Sequence, residues 1–258
     1  MDLTLTPEKR YPVQIGEPDG YFITLVGCGG TGSFLALHLA RLAYHLQERK
    51  GIRLNLLFVD PDVVEAQNIG RQNFCPAEIG AKKAWTLEQR FNAAFGLDIH
   101  AAAAPFAADL LGSPRGHPFR LVIGCVDNAT ARREIAEQVS LREGRVWWLD
   151  CGNHEHSGQV LLGNRADLTK PEITLDFCGG LPLPVVQHPE LLETEPEVQA
   201  ESCAELALRD AQSLMVNQAV ATFAAQYVYR LLVTRDLDVY ATYFDLVSGS
   251  ARSVGIVE

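Results

Sequence analysis

The sequence has 258 residues, of which 47% are hydrophobic and 21% are charged, and its formal net charge is −10. This composition supports a substantial hydrophobic core, excludes a mostly disordered chain and argues against a general nucleic-acid-binding protein, which needs a basic surface. No stretch reaches the roughly 18 apolar residues that a membrane span requires, and the N-terminus lacks the pattern of a secretory signal. We therefore expect a cytoplasmic protein that acts away from membranes and nucleic acids.

Strands and helices alternate along the first two thirds of the sequence. Apolar runs predict buried strands that begin at Tyr21, Ile52, Phe119, Arg145 and Ser157. Helical patterns cover residues 33–50, 81–95 and 130–142. This alternation predicts an α/β fold, namely a Rossmann-like, doubly wound mixed sheet whose early strands are parallel and whose later strands are partly antiparallel.

The alternation breaks after Asn164. Residues 164–201 contain five prolines, a pair of adjacent glycines and several carboxylates, so we predict a long crossover loop there. A further helix is predicted over 204–232, and a β-hairpin turning at 248–250 follows it. Residues 1–258 are predicted to form a single domain.

The first strand and the first helix are joined by the sequence GCGGTG. A glycine-rich turn at the start of a helix points backbone N–H groups at an anion, which allows a phosphate to approach bare backbone. Asp60, at the end of the second strand, is the acidic residue that such a site uses to hold a ribose. It lies further along than the usual spacing of about 20 residues, so the first helix is predicted to be about two turns longer than usual. The glycines are Gly27, Gly29, Gly30 and Gly32.

Polar residues further along the chain favour a nucleotide that is cleaved over one that is kept. Cleavage at the α-phosphate develops negative charge on the phosphoryl oxygens and on the leaving pyrophosphate, so cations are needed there. Arg71 and Lys83 supply positive charge, and Asp127 can hold Mg²⁺ through its carboxylate oxygens. The same stretches also contain Asp62, Asn68, Gln72 and Asn128.

Each of these features has a structural alternative. The glycines could serve packing and turn formation alone, and Asp127–Asn128 could only cap the next helix. Arg71 could pair with Glu65, and Lys83 could be an ordinary solvated lysine. The ordered combination of the motifs is the stronger signal, because single motifs of this kind occur often.

The combined motifs resemble the ThiF, MoeB and HesA superfamily of adenylating enzymes, whose fold is shared with ubiquitin-activating enzymes. Within that superfamily the sequence is similar to the ThiF-family proteins of the PRTRC system, a gene set of bacterial mobile elements. The resemblance extends from about Tyr21 to Gly255. Its motifs are GCGGTG (27–32), VDPD (59–62), NIGRQ (68–72), GAKK (80–83) and CVDNATAR (125–132).

The resemblance implies ATP-dependent adenylation of the C-terminal carboxylate of a small ubiquitin-like or sulfur-carrier-like protein, with release of pyrophosphate. It implies that Asp60 binds the ribose, that Arg71 and Lys83 contact the phosphates and that Asp127 coordinates Mg²⁺. It also implies a homodimer, in which Arg10 is a loose match to an arginine that relatives supply across the dimer. Further nucleotide-binding positions are Asp62, Asn68, Gln72, Asn128 and the four glycines.

Cys203 lies where the crossover loop is predicted to meet the next helix. In ThiF-like relatives a cysteine at this junction can accept the activated acyl group, and a helix N-terminus favours the thiolate nucleophile. Glu201 and Glu205 act against that effect, and an ordinary free cysteine is the alternative. Cys178 is the lesser candidate. None of the six cysteines forms a CxxC pair, so we expect no structural zinc.

Three alternative functions stay open at this point. The first is a tRNA-modifying member of the same superfamily, against which the acidic charge balance counts. The second is an NAD-dependent Rossmann oxidoreductase, which would leave Arg71, Lys83 and Asp127 without a role. The third is a non-catalytic partner subunit.

Overall fold

The computed structural model describes residues 8–111, 117–142, 144–193 and 214–258. Its α-helices are α1 (Gly30–Lys50), α2 (Lys83–Phe95), α3 (Ala129–Ser140), α4 (Pro184–Gln187) and α5 (Val216–Tyr229), the last of which continues into a π-helical segment, Arg230–Thr234. Its strands are β1 (Tyr21–Val26), β2 (Leu54–Val59), β3 (His100–Ala102), β4 (Phe119–Gly124), β5 (Val146–Asn153), β6 (Ser157–Gly163), β7 (Glu172–Thr174), β8 (Phe177–Gly180), β9 (Val239–Asp245) and β10 (Ser250–Gly255).

Eight strands form one mixed sheet in the order β10-β9-β6-β5-β4-β1-β2-β3. The pairs from β5 to β3 are parallel, whereas β6, β9 and β10 join antiparallel. The predicted mixed α/β sheet is thus confirmed. Because the strand order reverses at β1, its carboxyl end and that of β4 border a crevice, where ligands bind in folds of this type.

Helices cover both faces of the sheet. On one face α1, α2 and α5 enclose a core that includes Leu25, Leu39 and Val220, all fully buried. On the other face α3 packs over Val122 and Trp148, which are also fully buried. The two hydrophobic layers hold the sheet rigidly between them, and its carboxyl edge is therefore a firm platform for a site.

Helix α1 has the extra length that the position of Asp60 predicts. It runs for 21 residues, and Leu35, Leu39, Leu42 and Leu46 lie on its buried face at helical spacing. It ends at Gly51, which adopts a left-handed φ of 63°. The helix begins three residues before the predicted start, because the glycine turn itself supplies its first turn. Within the described ranges, no helix combines the length and apolarity needed to cross a bilayer.

The described part of the predicted crossover loop, residues 164–193, contains short regular elements that the sequence did not indicate. It contains the β7–β8 hairpin and α4. Asn164 anchors this segment, because its Oδ1 accepts a 2.8 Å hydrogen bond from the Leu181 N–H. Gly163 allows the close approach, since a Cβ there would lie 1.9 Å from the Pro182 carbonyl oxygen. Residues 194–201 lie outside the described ranges.

The N-terminal segment and the end of the chain are bound to each other. The Tyr11 N–H donates to the Ile256 carbonyl at 3.0 Å, and the Tyr11 hydroxyl donates to Glu258 at 2.8 Å. The Cys178 N–H donates to the Pro12 carbonyl at 2.9 Å, which adds β8 to the same cluster. These contacts lie beside β10, which is at the opposite edge of the sheet from β2 and β3.

We expect Leu39→Ala to lower the free energy of unfolding by about 2–5 kcal/mol, because it leaves a cavity under α1. Leu37→Ala is the matched control on the same helix, since Leu37 is only partly buried, and its loss should be clearly smaller. Urea unfolding followed by far-UV circular dichroism measures both. Equal losses would mean that the buried face of α1 is assigned incorrectly.

Candidate functional site

The glycine turn lies between the carboxyl end of β1 and the start of α1. Gly27 has a φ of +89°, and a Cβ there would lie 2.5 Å from the Cys125 carbonyl oxygen. At Gly32 a Cβ would lie 1.8 Å from the Gly27 carbonyl oxygen. At Gly29 the nearest atom is 3.7 Å away, on the Gln72 side chain. Packing therefore requires glycine at 27 and 32, whereas Gly29 leaves open backbone that a phosphate can approach.

The Asp60 carboxylate fastens this turn to the end of β2. Its Oδ2 accepts a 2.6 Å hydrogen bond from the Cys28 N–H, and its Oδ1 accepts a 2.8 Å bond from the Asp62 N–H. Burial raises the pKa of Asp60, while the two N–H donors and the nearby Lys83 ammonium lower it. Asp60 is only 5% exposed, so it fixes the turn in addition to any contact with a ligand.

Lys83 is the first residue of α2, and its ammonium group is largely buried beside these carboxylates. Its Nζ donates to Asp62 Oδ2 at 3.1 Å, and its N–H donates to the Asp62 carbonyl at 3.1 Å. The charge of Lys83 acts on both Asp60 and Cys28, which places it close to the glycine turn. The neighbouring Lys82 is partly exposed, and its Nζ donates to the Pro61 carbonyl instead.

The NIGRQ segment docks on the first turns of α1. Asn68 is buried in a 3₁₀ turn, where its Oδ1 accepts from the Glu65 N–H at 2.9 Å. The Asn73 N–H donates to Ser33 Oγ at 2.9 Å, and Asn73 Nδ2 donates to the Ser33 carbonyl at 3.2 Å. The segment is thereby held against the helix whose N-terminus forms the turn.

The docked segment also contains Arg71 and Gln72. Gln72 is 7% exposed and its amide faces Gly29, yet its Oε1 has no hydrogen-bond partner within the described residues. A buried acceptor without a donor is costly, and a ligand hydroxyl or amino group would satisfy it. Arg71 is partly exposed, and its Nε donates to the Gln67 carbonyl at 3.3 Å.

Asp127 and Asn128 follow β4 and face the same crevice, because the Cys125 carbonyl packs against Gly27. Asn128 is the N-cap of α3, with its Oδ1 accepting from the Ala131 N–H at 2.8 Å. The capping alternative therefore holds for Asn128. Asp127 is exposed, and its Oδ1 accepts from Asn128 Nδ2 at 3.3 Å.

A buried ion pair beneath this turn fixes the start of α3. Arg132 Nε donates to Asp150 Oδ1 at 3.3 Å, and Asp150 is fully buried in β5. Burial raises the pKa of Asp150, and the Arg132 guanidinium lowers it. The pair ties α3 to the sheet and so restricts the position of Asp127.

Of the predicted residues, Asp60 and Gln72 contact the glycine turn, and Lys83 lies close to Asp60. Asp127 comes two residues after Cys125, whose carbonyl packs against Gly27.

The cysteine candidates do not lie at this turn in the described part of the chain. Cys203 falls outside the described residues. Cys178 is buried and its Sγ donates to the Gly180 carbonyl at 3.2 Å. Burial raises the pKa of Cys178 to about 11, which makes it a poor nucleophile at neutral pH. Among described residues, no group of three or more His, Cys, Asp or Glu side chains is arranged to hold a metal ion.

Arg10 lies far from the turn of its own chain. Its guanidinium packs against Gly255, where a Cβ would be 2.7 Å from Arg10 Nε. Gly255 ends β10, and β10 lies five strands away from β1 in the sheet. At the usual spacing of strands, this is a separation of roughly 24 Å.

Three polar residues next to the turn were not identified from the sequence. Asn217, near the start of α5, accepts on its Oδ1 from the Thr31 hydroxyl at 3.1 Å and from Asn153 Nδ2 at 3.0 Å. The signal available in the sequence is an asparagine inside the otherwise apolar stretch LMVNQAVA. Such a residue needs buried partners, but the sequence does not say which.

Comparison with known proteins places this arrangement in a family. A profile of the ThiF family matches residues 20–254. Ubiquitin-like modifier-activating enzyme 5 of Dictyostelium discoideum is 30% identical over 155 residues, covering 54% of this chain and 38% of that protein. The Xenopus laevis protein of the same name is 29% identical over 180 residues, covering 65% of this chain and 42% of that protein. The chain therefore spans well under half the length of these relatives.

Solved structures show the same fold. A crystal structure of E. coli MccB with ATP superimposes with a TM-score of 0.57 at 14% identity, covering 93% of this chain and 65% of MccB. Another structure holds MccB, a microcin C7 biosynthetic enzyme, in complex with N-formylated MccA. At this identity the similarity concerns the fold alone.

We expect Gly32→Ala to disrupt the turn, because the added methyl group would overlap the Gly27 carbonyl. Gly29→Ala should leave thermal stability close to that of the unaltered chain and weaken only the binding of an anion at the turn. Differential scanning calorimetry and titration with an ATP analogue measure the two effects. The reverse order of stability would contradict the packing roles given to these glycines.

We expect Asn128→Ala to lower the free energy of unfolding by about 1 kcal/mol, because α3 loses its N-cap. Asn128→Ser should retain most of that stability, since serine caps nearly as well. Asp127→Ala, the neighbouring control, should change stability by less than about 0.5 kcal/mol because Asp127 is exposed. Urea unfolding of the three variants distinguishes the two roles, and a larger loss for Asp127→Ala would contradict them.

Proposed function

The chain belongs to the ThiF family, and from this premise we propose that it adenylates the C-terminal carboxylate of a small protein or peptide with ATP. The single observation that carries the proposal is that the glycine turn contacts Asp60, Gln72 and the Cys125 carbonyl, which belong to the same three segments as Lys83's partner Asp62, Arg71 and Asp127. A Rossmann site that only holds a dinucleotide has no need of this cluster of charges.

Gly29 and the first turn of α1 supply backbone N–H groups and the positive end of a long helix for the phosphates. Lys83 supplies a full positive charge on the β2 side of the turn, next to Asp62, and Arg71 would add a second one from the neighbouring NIGRQ segment. Gln72 Oε1 is buried and accepts from none of the described residues. It suits a hydroxyl or amino group of the nucleoside, because phosphate oxygens only accept hydrogen bonds. The site therefore matches both the anionic and the neutral part of ATP.

In the proposed reaction a carboxylate oxygen of the substrate attacks the α-phosphorus of ATP. A bond forms between that oxygen and phosphorus, and the bond from phosphorus to the bridging oxygen breaks, so that pyrophosphate leaves with the electron pair. The carboxylate is already ionised at neutral pH, so no general base is required. Rate enhancement then comes from alignment and from neutralising charge with Arg71 and Lys83.

The donors present fit a magnesium ion. Mg²⁺ is commonly held by one or two carboxylates together with substrate phosphates, and Asp127 offers an exposed carboxylate beside the crevice. When bound there, Mg²⁺ would neutralise charge on the phosphate oxygens. Asp62, although engaged by Lys83, is the second carboxylate on this edge of the sheet.

The finer points of the proposal come from the sequence resemblance. They are a ubiquitin-like or sulfur-carrier-like substrate, a cytoplasmic homodimer of the PRTRC branch, and transfer of the acyl group to Cys203. In that transfer the thiolate attacks the acyl carbon and AMP leaves. The names of the relatives and the MccB complex with MccA support a small protein or peptide as substrate. Because Arg10 lies at the far edge of its own chain, any contact it makes with ATP would be in a partner subunit.

We expect Lys83→Met and Arg71→Ala each to weaken binding of a non-cleavable ATP analogue by about tenfold or more, because each removes a charge-assisted contact. Lys82→Met is the matched control, since the Lys82 ammonium faces the Pro61 carbonyl, and its effect should stay within about twofold. Isothermal titration calorimetry measures all four proteins. Full affinity in both site variants would remove the physical basis of the proposal.

Catalysis itself is tested by ATP–pyrophosphate exchange in the presence of small ubiquitin-like proteins with a free C-terminal carboxylate. The same proteins amidated at the C-terminus are the control, because an amide lacks the nucleophilic oxygen. Exchange should need the free carboxylate and should be lost in Asp127→Asn. Equal exchange with amidated proteins would show that another group is activated.

A further inference from the structure

The glycine at position 30 is not required by the backbone. Gly30 is the first residue of α1, and its φ lies outside the left-handed region. The backbone at this position would therefore accept alanine. The obstacle is a side chain from another helix, because a Cβ at Gly30 would lie 2.6 Å from Asn217 Oδ1 and 2.8 Å from Asn217 Nδ2.

Asn217 is well suited to hold the turn in place. It is 4% exposed, and Thr31, whose hydroxyl donates to it, is 6% exposed. Its Oδ1 also accepts from Asn153 at the carboxyl end of β5. One amide oxygen thus connects the first turn of α1, the end of β5 and the start of α5. Hydrogen bonds in such a buried, low-dielectric setting restrict geometry strongly.

Asn217 and Asp60 contact the turn from opposite sides. Asp60 accepts from the Cys28 N–H on the β2 side of the turn, whereas Asn217 accepts from the Thr31 hydroxyl and packs against Gly30 on the β5 side. We infer that Asn217 is a positioning residue, which sets the backbone N–H groups of residues 29–31 for the nucleotide and makes glycine necessary at position 30. This inference rests on the proposed ATP site, since it assigns the residue that orients that site.

The test combines Asn217→Ala, Gly30→Ala and the double variant, with affinity for a non-cleavable ATP analogue and urea stability measured for each. Asn217→Ala should weaken the affinity by about fivefold to tenfold, because the turn loses an orienting hydrogen bond. Gly30→Ala should weaken it further by displacing Asn217. In the double variant the new methyl group has room, so adding Gly30→Ala to Asn217→Ala should cost less than about twofold.

Asn92→Ala is the matched structural control. Asn92 bridges to Ile99 with both ends of its amide, at 2.9 Å and 2.7 Å, but lies in α2 away from the turn. Its loss should lower stability without changing ATP affinity. Thr31→Val keeps the side-chain shape and removes only the hydroxyl that donates to Asn217. It should weaken binding by about threefold, which keeps the inference testable if Asn217→Ala folds poorly.

The outcomes distinguish a failure of the proposed ATP site from a failure of the role given to Asn217. If the unaltered chain fails to bind the analogue, the proposed function is contradicted and the inference fails with it. If the unaltered chain binds but Asn217→Ala and Thr31→Val bind equally well, the inference is overturned and the proposed function stands. If the double variant binds as poorly as Gly30→Ala alone, the ligand itself requires glycine at position 30, and the role given to Asn217 is wrong.

Discussion

The hydrogen bond from the Cys28 N–H to the buried Asp60 carboxylate is the contact on which the site depends. It joins the turn after β1 to the end of β2, at the point where the order of the strands reverses. A carboxylate with both oxygens engaged by backbone N–H groups cannot turn away without leaving those groups unpaired. The positive end of α1 is thereby aimed at a defined place in the crevice.

Charged side chains are concentrated around that hydrogen bond. Two acidic residues and one ammonium group occupy the β2 side of the turn, and the capped start of α3 occupies the β4 side. Burial makes such charges expensive unless each has a partner, which is why Lys83 sits against Asp62. A ligand that brings several negative charges would meet a site that is already ordered and has little to rearrange.

The sequence allowed the sheet and the long first helix to be predicted, because these rest on local patterns, and it indicated the Gly27–Asp60 neighbourhood that Cys28 and Asp60 join. Apolar strands and helical periodicity are legible over short windows, and the distance from Gly32 to Asp60 reports the length of α1. The β7–β8 hairpin escaped prediction because it is held by contacts with distant residues, such as Asn164 and Pro12. The contact of Gly30 with Asn217 could not be predicted from the sequence either, since the two positions lie far apart in the chain. Asn128 shows a different limit of prediction from sequence, because an asparagine at this position can either cap a helix or contact a ligand. Only the position of its Oδ1, which accepts from the Ala131 N–H, identifies the cap.

The binding of Tyr11 to Ile256 beside β10 has a practical consequence for work with this chain. Fluorophores or affinity handles attached to residues next to Tyr11 or Ile256 would lie at one corner of the sheet, about five strands from the crevice. This corner could therefore be used to immobilise the protein while the crevice at the far part of the sheet stays open to a ligand.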